Sequence, residues 1–398
     1  MSKLRINKSD FFIFLLYFYV FRNLIRSFFP FFQYSDEIFA VIIVFYINYK
    51  ELFYQETKVA TFSIIGFILV GIISYIINRF QPFFTVTIID LFLDIKFWIW
   101  LYFGYKFTDK RADYILSKMD VHVKLLITFL FAISLIDVFF HVFNELNDIK
   151  MGMRSVGLWD GPASLSSTMV SLLVIVMANK NNHFLNFYTL FSLIVIALTL
   201  RYKSLATIAV FFSFIFFNAI NLKKIKIYHI LFISIIAILV SKEQIVTYIY
   251  TRDVNARSVL WIESFTLASI FFPFGAGPGT FASYLSGVFY SPLYQFLGIQ
   301  DIQGLTQASP SFVSDTFWPA VIGQFGFAGL FLYLLLLYWL FNAIKKNANM
   351  FSNYYFTGMF ILCYLMITSV AESSFLHWNA FFLAITLGLI VRSKKRSF

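Results

Sequence analysis

Two arginines five residues apart, Arg252 and Arg257, have the type and spacing that favour ligand chemistry. A guanidinium group matches phosphate oxygens with two parallel hydrogen bonds, so the pair predicts a site for a phosphate or pyrophosphate anion. The alternative is that both arginines pair with lipid head groups or with the nearby carboxylates of Asp253 and Glu263. Glu263 is also a candidate substrate contact.

A glycine-rich turn follows these arginines and includes Gly277 and Gly279 in the run Phe-Gly-Ala-Gly-Pro-Gly-Thr-Phe at 274–281. The run lacks the Gly-Lys-Ser/Thr ending of a nucleotide-binding loop. Glycine lets the backbone take positive φ angles and approach a neighbour closely. We therefore expect a tight turn against another helix or a lipid-linked ligand, with both glycines as candidate substrate contacts.

Other cations lie in short polar stretches between apolar segments. Arg201 and Lys203 share a very short turn, and Arg154 precedes a tryptophan and two glycines in the run 154–162. Such side chains either contact an anionic ligand or anchor the chain at the membrane interface, with their charged heads reaching water. All three are candidate substrate-binding residues.

Asp315 lies where a long polar stretch returns to an apolar segment. A carboxylate in that position is a candidate base that accepts a proton from a hydroxyl group. Aspartate is also common at helix N-termini, so capping is the alternative. The sequence has no histidine between His229 and His377, which excludes a histidine base from the long stretch itself.

The amino-acid composition indicates what kind of secondary structure holds these residues in position. Of the 398 residues, 60% are hydrophobic and 13% are charged, which excludes a soluble globular enzyme and a disordered chain. A spanning helix needs about 20 apolar residues. The single cysteine, Cys363, excludes an internal disulfide and a cysteine-based metal site.

The hydropathy pattern predicts an all-α polytopic membrane protein with about 12 transmembrane helices, residues 1–398 forming a single integral membrane domain. The predicted apolar segments are 10–28, 37–49, 60–79, 83–105, 124–143, 163–178, 184–200, 204–220, 228–241, 316–341, 354–370 and 375–391. Residues 242–315, between helices 9 and 10, form a large extracytoplasmic loop that we expect to contain short amphipathic or re-entrant helices.

The distribution of basic residues sets the orientation. Assigning alternate loops to the cytoplasm places 20 of the 31 Lys and Arg residues there and eight on the opposite face. By the positive-inside rule both termini are cytoplasmic. The net charge of +11 is thus explained mostly by topology, and nucleic acid is not an expected partner.

Charged residues also fall inside predicted spans, where they are costly unless paired or functional. Arg22 and Arg26 share one face of the first span, and Asp90 and Asp94 share one face of the fourth. We expect complementary pairing between these two sets. The alternative is that the acids line a cavity open to the outside.

The order of these features resembles the bacterial lipid-linked polysaccharide polymerases and ligases, the O-antigen polymerase (Wzy-type) and O-antigen ligase group. The similar part runs from Arg252 to Gly329. There, an arginine is followed in order by Trp261, the glycine-rich turn, Asp315 and the run Gly-Gln-Phe-Gly-Phe-Ala-Gly at 323–329. Two shorter matches are the Asp-Glu pair at 36–37 and the Leu-Arg pair at 200–201.

The resemblance implies an undecaprenyl-pyrophosphate-linked oligosaccharide as substrate and glycosyl transfer at the outer face of the cytoplasmic (inner) membrane. It implies no metal, no cofactor and no nucleotide sugar. By matched position, Arg201 and Arg257 hold the pyrophosphate, with Arg252 as the alternate. A chain-length regulator is an expected partner, and membrane lipid surrounds the protein.

Three functions remain open at this stage. Ligases of the group carry a histidine at the end of the large loop, where this chain has Asp315, which favours a polymerase of surface polysaccharide such as lipopolysaccharide O-antigen or capsule. An O-antigen ligase is the alternative enzyme. A lipid-linked oligosaccharide flippase or transporter is the alternative of another class, although the halves show no internal repeat.

Overall fold

The computed structural model describes residues 8–47, 56–107, 112–140, 161–219, 255–347 and 353–392, together with residues 229, 239 and 246. Within these ranges the secondary structure is helical, apart from an isolated bridge between Thr306 and Ser309. The chain therefore has the all-helical architecture that the hydropathy pattern predicts.

The first eight α-helices lie before the long polar stretch. They are α1 (Lys8–Phe28), α2 (Ser35–Phe45), α3 (Lys58–Asn78), α4 (Phe84–Phe107), α5 (Ala112–Phe140), α6 (Pro162–Ala178), α7 (Phe187–Leu198) and α8 (Tyr202–Ala219).

Six further α-helices complete the described chain. They are α9 (Ala256–Ile270), α10 (Tyr284–Val288), α11 (Leu293–Phe296), α12 (Phe317–Asn347), α13 (Asn353–Thr368) and α14 (Phe381–Arg392). Short 3-10 helices precede α2, at Pro30–Tyr34, and α14, at Trp378–Ala380.

Eleven of the twelve predicted apolar segments overlap these helices, and the segment 228–241 falls largely outside the described residues. Helix α5 begins at Ala112 rather than near 124, because its first turns are polar and carry an Asp120–Lys124 ion pair of 2.6 Å. Among the described helices, α1, α3, α5 and α12 are long and apolar enough to cross a membrane.

Two hydrogen bonds join the ends of helices that are distant in sequence. Arg392 at the end of α14 donates to the carbonyl of Tyr105 near the end of α4, at 2.8 Å. Asn353, at the start of α13, donates to the carbonyl of Asn179 just after α6, at 2.9 Å. The charge count assigns all four of these positions to the same side of the membrane.

Helix α12 breaks at Gly326, whose φ of 61° and ψ of −163° lie outside the helical region. The glycine-rich turn supplies the missing hydrogen bonds. The N–H of Ala276 donates to the carbonyl of Gly323 at 2.9 Å, and the N–H of Gly277 donates to the carbonyl of Gln324 at 2.8 Å. The break is therefore satisfied by protein rather than water, which is the condition for irregular backbone inside a membrane.

The close approach at this break requires glycine on both sides. A Cβ atom on Gly275 would lie 2.3 Å from the nitrogen of Gly326, and a Cβ atom on Gly326 would lie 2.3 Å from the carbonyl oxygen of Pro273. The two glycine-containing runs singled out in the sequence thus form one interlocked structural unit between α9 and α12.

Candidate functional site

A cavity of about 220 Å³ lies where the ends of several helices meet. Its polar lining comes from distant parts of the sequence, and the ionisable members are Arg201, Arg257, Asp315, Tyr364, Glu372 and His377. The predicted topology assigns four of these positions to the outer side of the membrane: Arg201, Arg257, Asp315 and Glu372. Three of the residues singled out in the sequence therefore share one cavity.

Arg257 and Asp315 form an ion pair across the cavity wall, with Arg257 Nη2 2.6 Å from Asp315 Oδ2. Arg257 lies in the first turn of α9, where the side chain of Asn255 caps the helix by accepting from the Arg257 N–H at 3.1 Å. Asp315 lies two residues before α12. Both side chains keep about 30% of their surface accessible, so solvent or a ligand can reach them.

A second ion pair is built on the short turn between α7 and α8. Arg201 Nη2 lies 3.4 Å from Glu372 Oε1, and the Lys203 ammonium contacts the same carboxylate oxygen. The turn is tight, with Leu200 at a φ of 47°. It places both cations on one acidic residue, Glu372, which comes from the connection between α13 and α14.

His377 lines the cavity from the same connection and is exposed to it. Desolvation of the imidazole between the cavity walls, and then the positive charges of Lys96 and Lys203, lower the pKa of His377. Among the described residues the imidazole has no hydrogen bond or ion pair. It is therefore present at the cavity as a neutral ring with its nitrogens available.

Helix N-termini add positive potential to this end of the bundle. Ala163 and Ser164, in the first turn of α6, line the cavity, as do Arg257 at the start of α9 and Ala380 just before α14. The N-terminal end of a helix favours anions because its N–H groups and dipole point there. Two arginines of the lining, with Lys203 in contact with Glu372 behind them, offer cationic side chains next to these helix N-termini, which suits a negatively charged ligand.

The remaining candidate residues lie elsewhere. Arg154 and Arg252 are outside the described residues. Glu263 lies on α9, six residues beyond Arg257, and is not part of the cavity lining. Gly277 and Gly279 belong to the glycine-rich turn at the α12 break. A direct role of these five residues in ligand binding stays a prediction.

The predicted pairing between the arginines of α1 and the aspartates of α4 is wrong, because neither Asp90 nor Asp94 forms an ion pair with an arginine of α1 in the described part of the chain. Arg22 instead bonds Asp36 at 3.0 Å, because the short 3-10 helix turns α2 back onto α1. Asp90 accepts from the backbone N–H of Gly279 at 2.6 Å. Asp94 is buried and makes no ion pair within the described part of the chain.

Sequence reasoning missed Glu372, His377 and Tyr364. The predicted span 375–391 contained His377, whereas α14 begins only at Phe381. The available signal was the presence of Glu372 and His377 within a few residues between two apolar segments.

Comparison with known proteins does not assign the chain to a family. No protein family model matches the chain, and no curated protein matches it significantly. The function is therefore argued from the cavity and its chemistry.

Proposed function

We propose that the chain is a polymerase that joins oligosaccharide repeat units carried on undecaprenyl pyrophosphate. The observation that carries the proposal is the convergence of Arg201, Arg257 and Asp315 in one cavity, although they lie far apart in sequence. The residues that the family resemblance marks for pyrophosphate binding are thus near each other in space.

The chemistry of the reaction matches the charges of the cavity. The anomeric carbon of the donor sugar is bonded to a pyrophosphate oxygen, and this oxygen gains negative charge as the bond breaks. Arg201 and Arg257 provide fixed positive charge for that oxygen, which stabilises the transition state more than the ground state. In this proposal the arginines perform the neutralisation, and the reaction uses no metal and no nucleotide sugar.

The size of the cavity fits the head of such a substrate. The cavity has a volume of about 220 Å³. That volume holds a pyrophosphate group with part of a sugar ring. The rest of the oligosaccharide then extends out of the cavity, and the polyprenyl chain lies in the surrounding membrane lipid.

The topology of the proposal follows the charge count. About 12 spans, cytoplasmic termini and an extracytoplasmic 242–315 loop place the cavity at the outer face of the bacterial cytoplasmic membrane. A separate chain-length regulator is a further proposed partner. Contacts of Arg392 with Tyr105 and of Asn353 with Asn179 support this arrangement, because the predicted topology assigns all four positions to the cytoplasmic side.

An O-antigen ligase is the second candidate, and the cavity position of His377 favours it. Ligases of the resembled group use the same class of donor but join finished polysaccharide to a different acceptor. The two functions differ in their product, because a polymerase mutant lacks chain elongation whereas a ligase mutant lacks only attachment.

The test is complementation of a strain in which the gene for this chain is deleted. Wild type should restore long surface polysaccharide, and R201A and R257A should each abolish it at unchanged protein level. The matched control is R26A, which removes an exposed arginine outside the cavity and should behave as wild type. Unchanged polymer length in both cavity variants would contradict the proposal.

A further inference from the structure

We infer that His377 is the catalytic base of the cavity, the group that removes the proton from the attacking sugar hydroxyl. The inference rests on the proposed glycosyl transfer and assigns one of its steps. Asp315 is the base expected from the sequence, so the structure moves this role to a different element, the connection between α13 and α14.

The carboxylates of the cavity are already engaged by cations. Asp315 Oδ2 lies 2.6 Å from the guanidinium of Arg257. Glu372 contacts both Arg201 and Lys203. Both carboxylates thus face cations, whereas a base must be free to accept the proton of an approaching hydroxyl group. Each carboxylate therefore serves better to orient an arginine than to accept a proton.

His377 differs from both carboxylates in the same cavity. Its imidazole is exposed to the cavity and is not held by a hydrogen bond or ion pair to any described residue. Lys96 and Lys203 lower the pKa of His377 together with burial, while Asp36 and Asp315 act in the opposite direction. The net effect is a lowered pKa, so the ring is neutral and able to accept a proton near neutral pH.

The backbone holds His377 in a fixed place. Its N–H donates to the carbonyl of Ser373 at 3.2 Å, and its carbonyl accepts from the N–H of Ala380 at 3.0 Å. The start of the same connection is fixed by Trp318, whose indole N–H donates to Ser369 Oγ at 2.9 Å. A base carried on a supported turn can be oriented toward a bound substrate.

The reaction forms one bond and breaks one, with His377 accepting the proton. The acceptor hydroxyl oxygen forms a bond to the anomeric carbon of the donor, and its proton passes to an imidazole nitrogen of His377. The bond between the anomeric carbon and the pyrophosphate oxygen breaks, and its electron pair leaves with the lipid pyrophosphate. The imidazolium then returns its proton to solvent through the open side of the cavity.

The test uses the full-length protein purified in lipid nanodiscs. The substrate is the lipid-linked repeat unit extracted from cells that lack this chain. Turnover is measured by gel and mass spectrometry for wild type, H377Q, H377A and D315N. Undecaprenyl pyrophosphate binding is measured in parallel on the same preparations. H183Q is the matched control, because His183 is exposed and does not line the cavity.

We expect H377Q to lose at least about 100-fold in turnover while binding of undecaprenyl pyrophosphate changes less than about threefold. Added imidazole should restore part of the activity of H377A. Wild-type turnover should fall on acidification, at a pH below the usual imidazole value of about 6.5. D315N should retain this acid limb even if its activity is reduced.

Two results would overturn the assignment. One is H377Q turnover within tenfold of wild type, and the other is an acid limb that disappears in D315N but remains in H377Q. If wild type itself forms no polymer from the extracted substrate, the proposed function fails instead. The two failures are therefore distinguishable.

Discussion

Two groups of opposite charges in this protein are built from the same kinds of side chain but have different surroundings. The buried charge cluster comprises Arg22, Asp36, Glu37 and Lys96, and three of its side chains are 11% exposed or less. The cavity charge group comprises Arg201, Lys203, Arg257, Asp315 and Glu372, and most of its side chains are 26–30% exposed.

The two groups differ in whether a ligand can replace one partner of an ion pair. Asp36 is held between Arg22 at 3.0 Å and Lys96 at 2.6 Å, and the guanidinium of Arg22 also lies over the ring of Trp378. No ligand can replace such an internal partner without opening the fold. Under the proposed function, an incoming pyrophosphate takes the place of the carboxylate beside Arg257 in the cavity. Accessible ion pairs are therefore suited to binding, whereas enclosed ones stabilise the fold.

The largest expected effect is on folding, from Lys96→Met. The substitution leaves the buried carboxylate of Asp36 and the partly exposed carboxylate of Glu37 with less positive charge beside them, which costs about 3–5 kcal/mol of unfolding free energy. Thermal unfolding in detergent and the yield of folded protein measure this effect. The control is K118M, at an exposed lysine, and an equal loss there would contradict the argument.

The next largest expected effect is a loss of activity on the substitution Arg257→Met. Removing one fixed charge at the leaving group should lower turnover by about 100- to 1000-fold. Because the pair with Asp315 is partly exposed, the unfolding free energy should change by only about 1 kcal/mol. Turnover in nanodiscs and thermal unfolding are compared on one preparation. A stability loss as large as that of K96M would remove the distinction between the two charge groups.

A smaller effect is expected from pyrophosphate itself. Inorganic pyrophosphate at about 100 times its dissociation constant should stabilise wild type by about 2.7 kcal/mol, seen as a raised unfolding temperature. R257M should lose most of this stabilisation. If R257M and wild type respond equally, the anion binds outside the cavity.

The smallest effect is expected from Glu372→Gln. The substitution removes a carboxylate that competes with the ligand for Arg201 and Lys203. Pyrophosphate affinity should rise about two- to fivefold, corresponding to roughly 0.5–1 kcal/mol. Titration of binding by calorimetry checks this, with E56Q as a control on an exposed side chain outside the cavity lining. Weaker binding in E372Q would show that Glu372 positions the cations rather than competes for them.

The sequence was sufficient to predict the helices and part of the candidate site. Hydropathy located eleven described helices because apolar length is a local property. Arg257 and Asp315 were recognisable because charged residues are rare in this chain. His377 was not recognisable as a site residue. Its neighbours are aromatic and apolar, so the hydropathy pattern included it in a predicted span, and the sequence does not show where α13 ends.

The interlock between the two glycine-containing runs was also beyond sequence reasoning. Each run predicts a turn or a break, but about 45 residues separate them, and only folding shows that one satisfies the backbone of the other. The partner of Asp36 was missed for the same reason, since the contact with Lys96 joins residues 60 positions apart.

The break in α12 has a consequence for the distance between Arg257 and Asp315. Helix α9 carries Arg257 near its start, and the turn that follows α9 is hydrogen-bonded into the break of α12 at Gly326, eleven residues beyond Asp315. The two helices are therefore joined at a point remote from this ion pair, and that junction helps to set its spacing. A substitution at Gly326, which never touches the ligand, should change how tightly pyrophosphate is held.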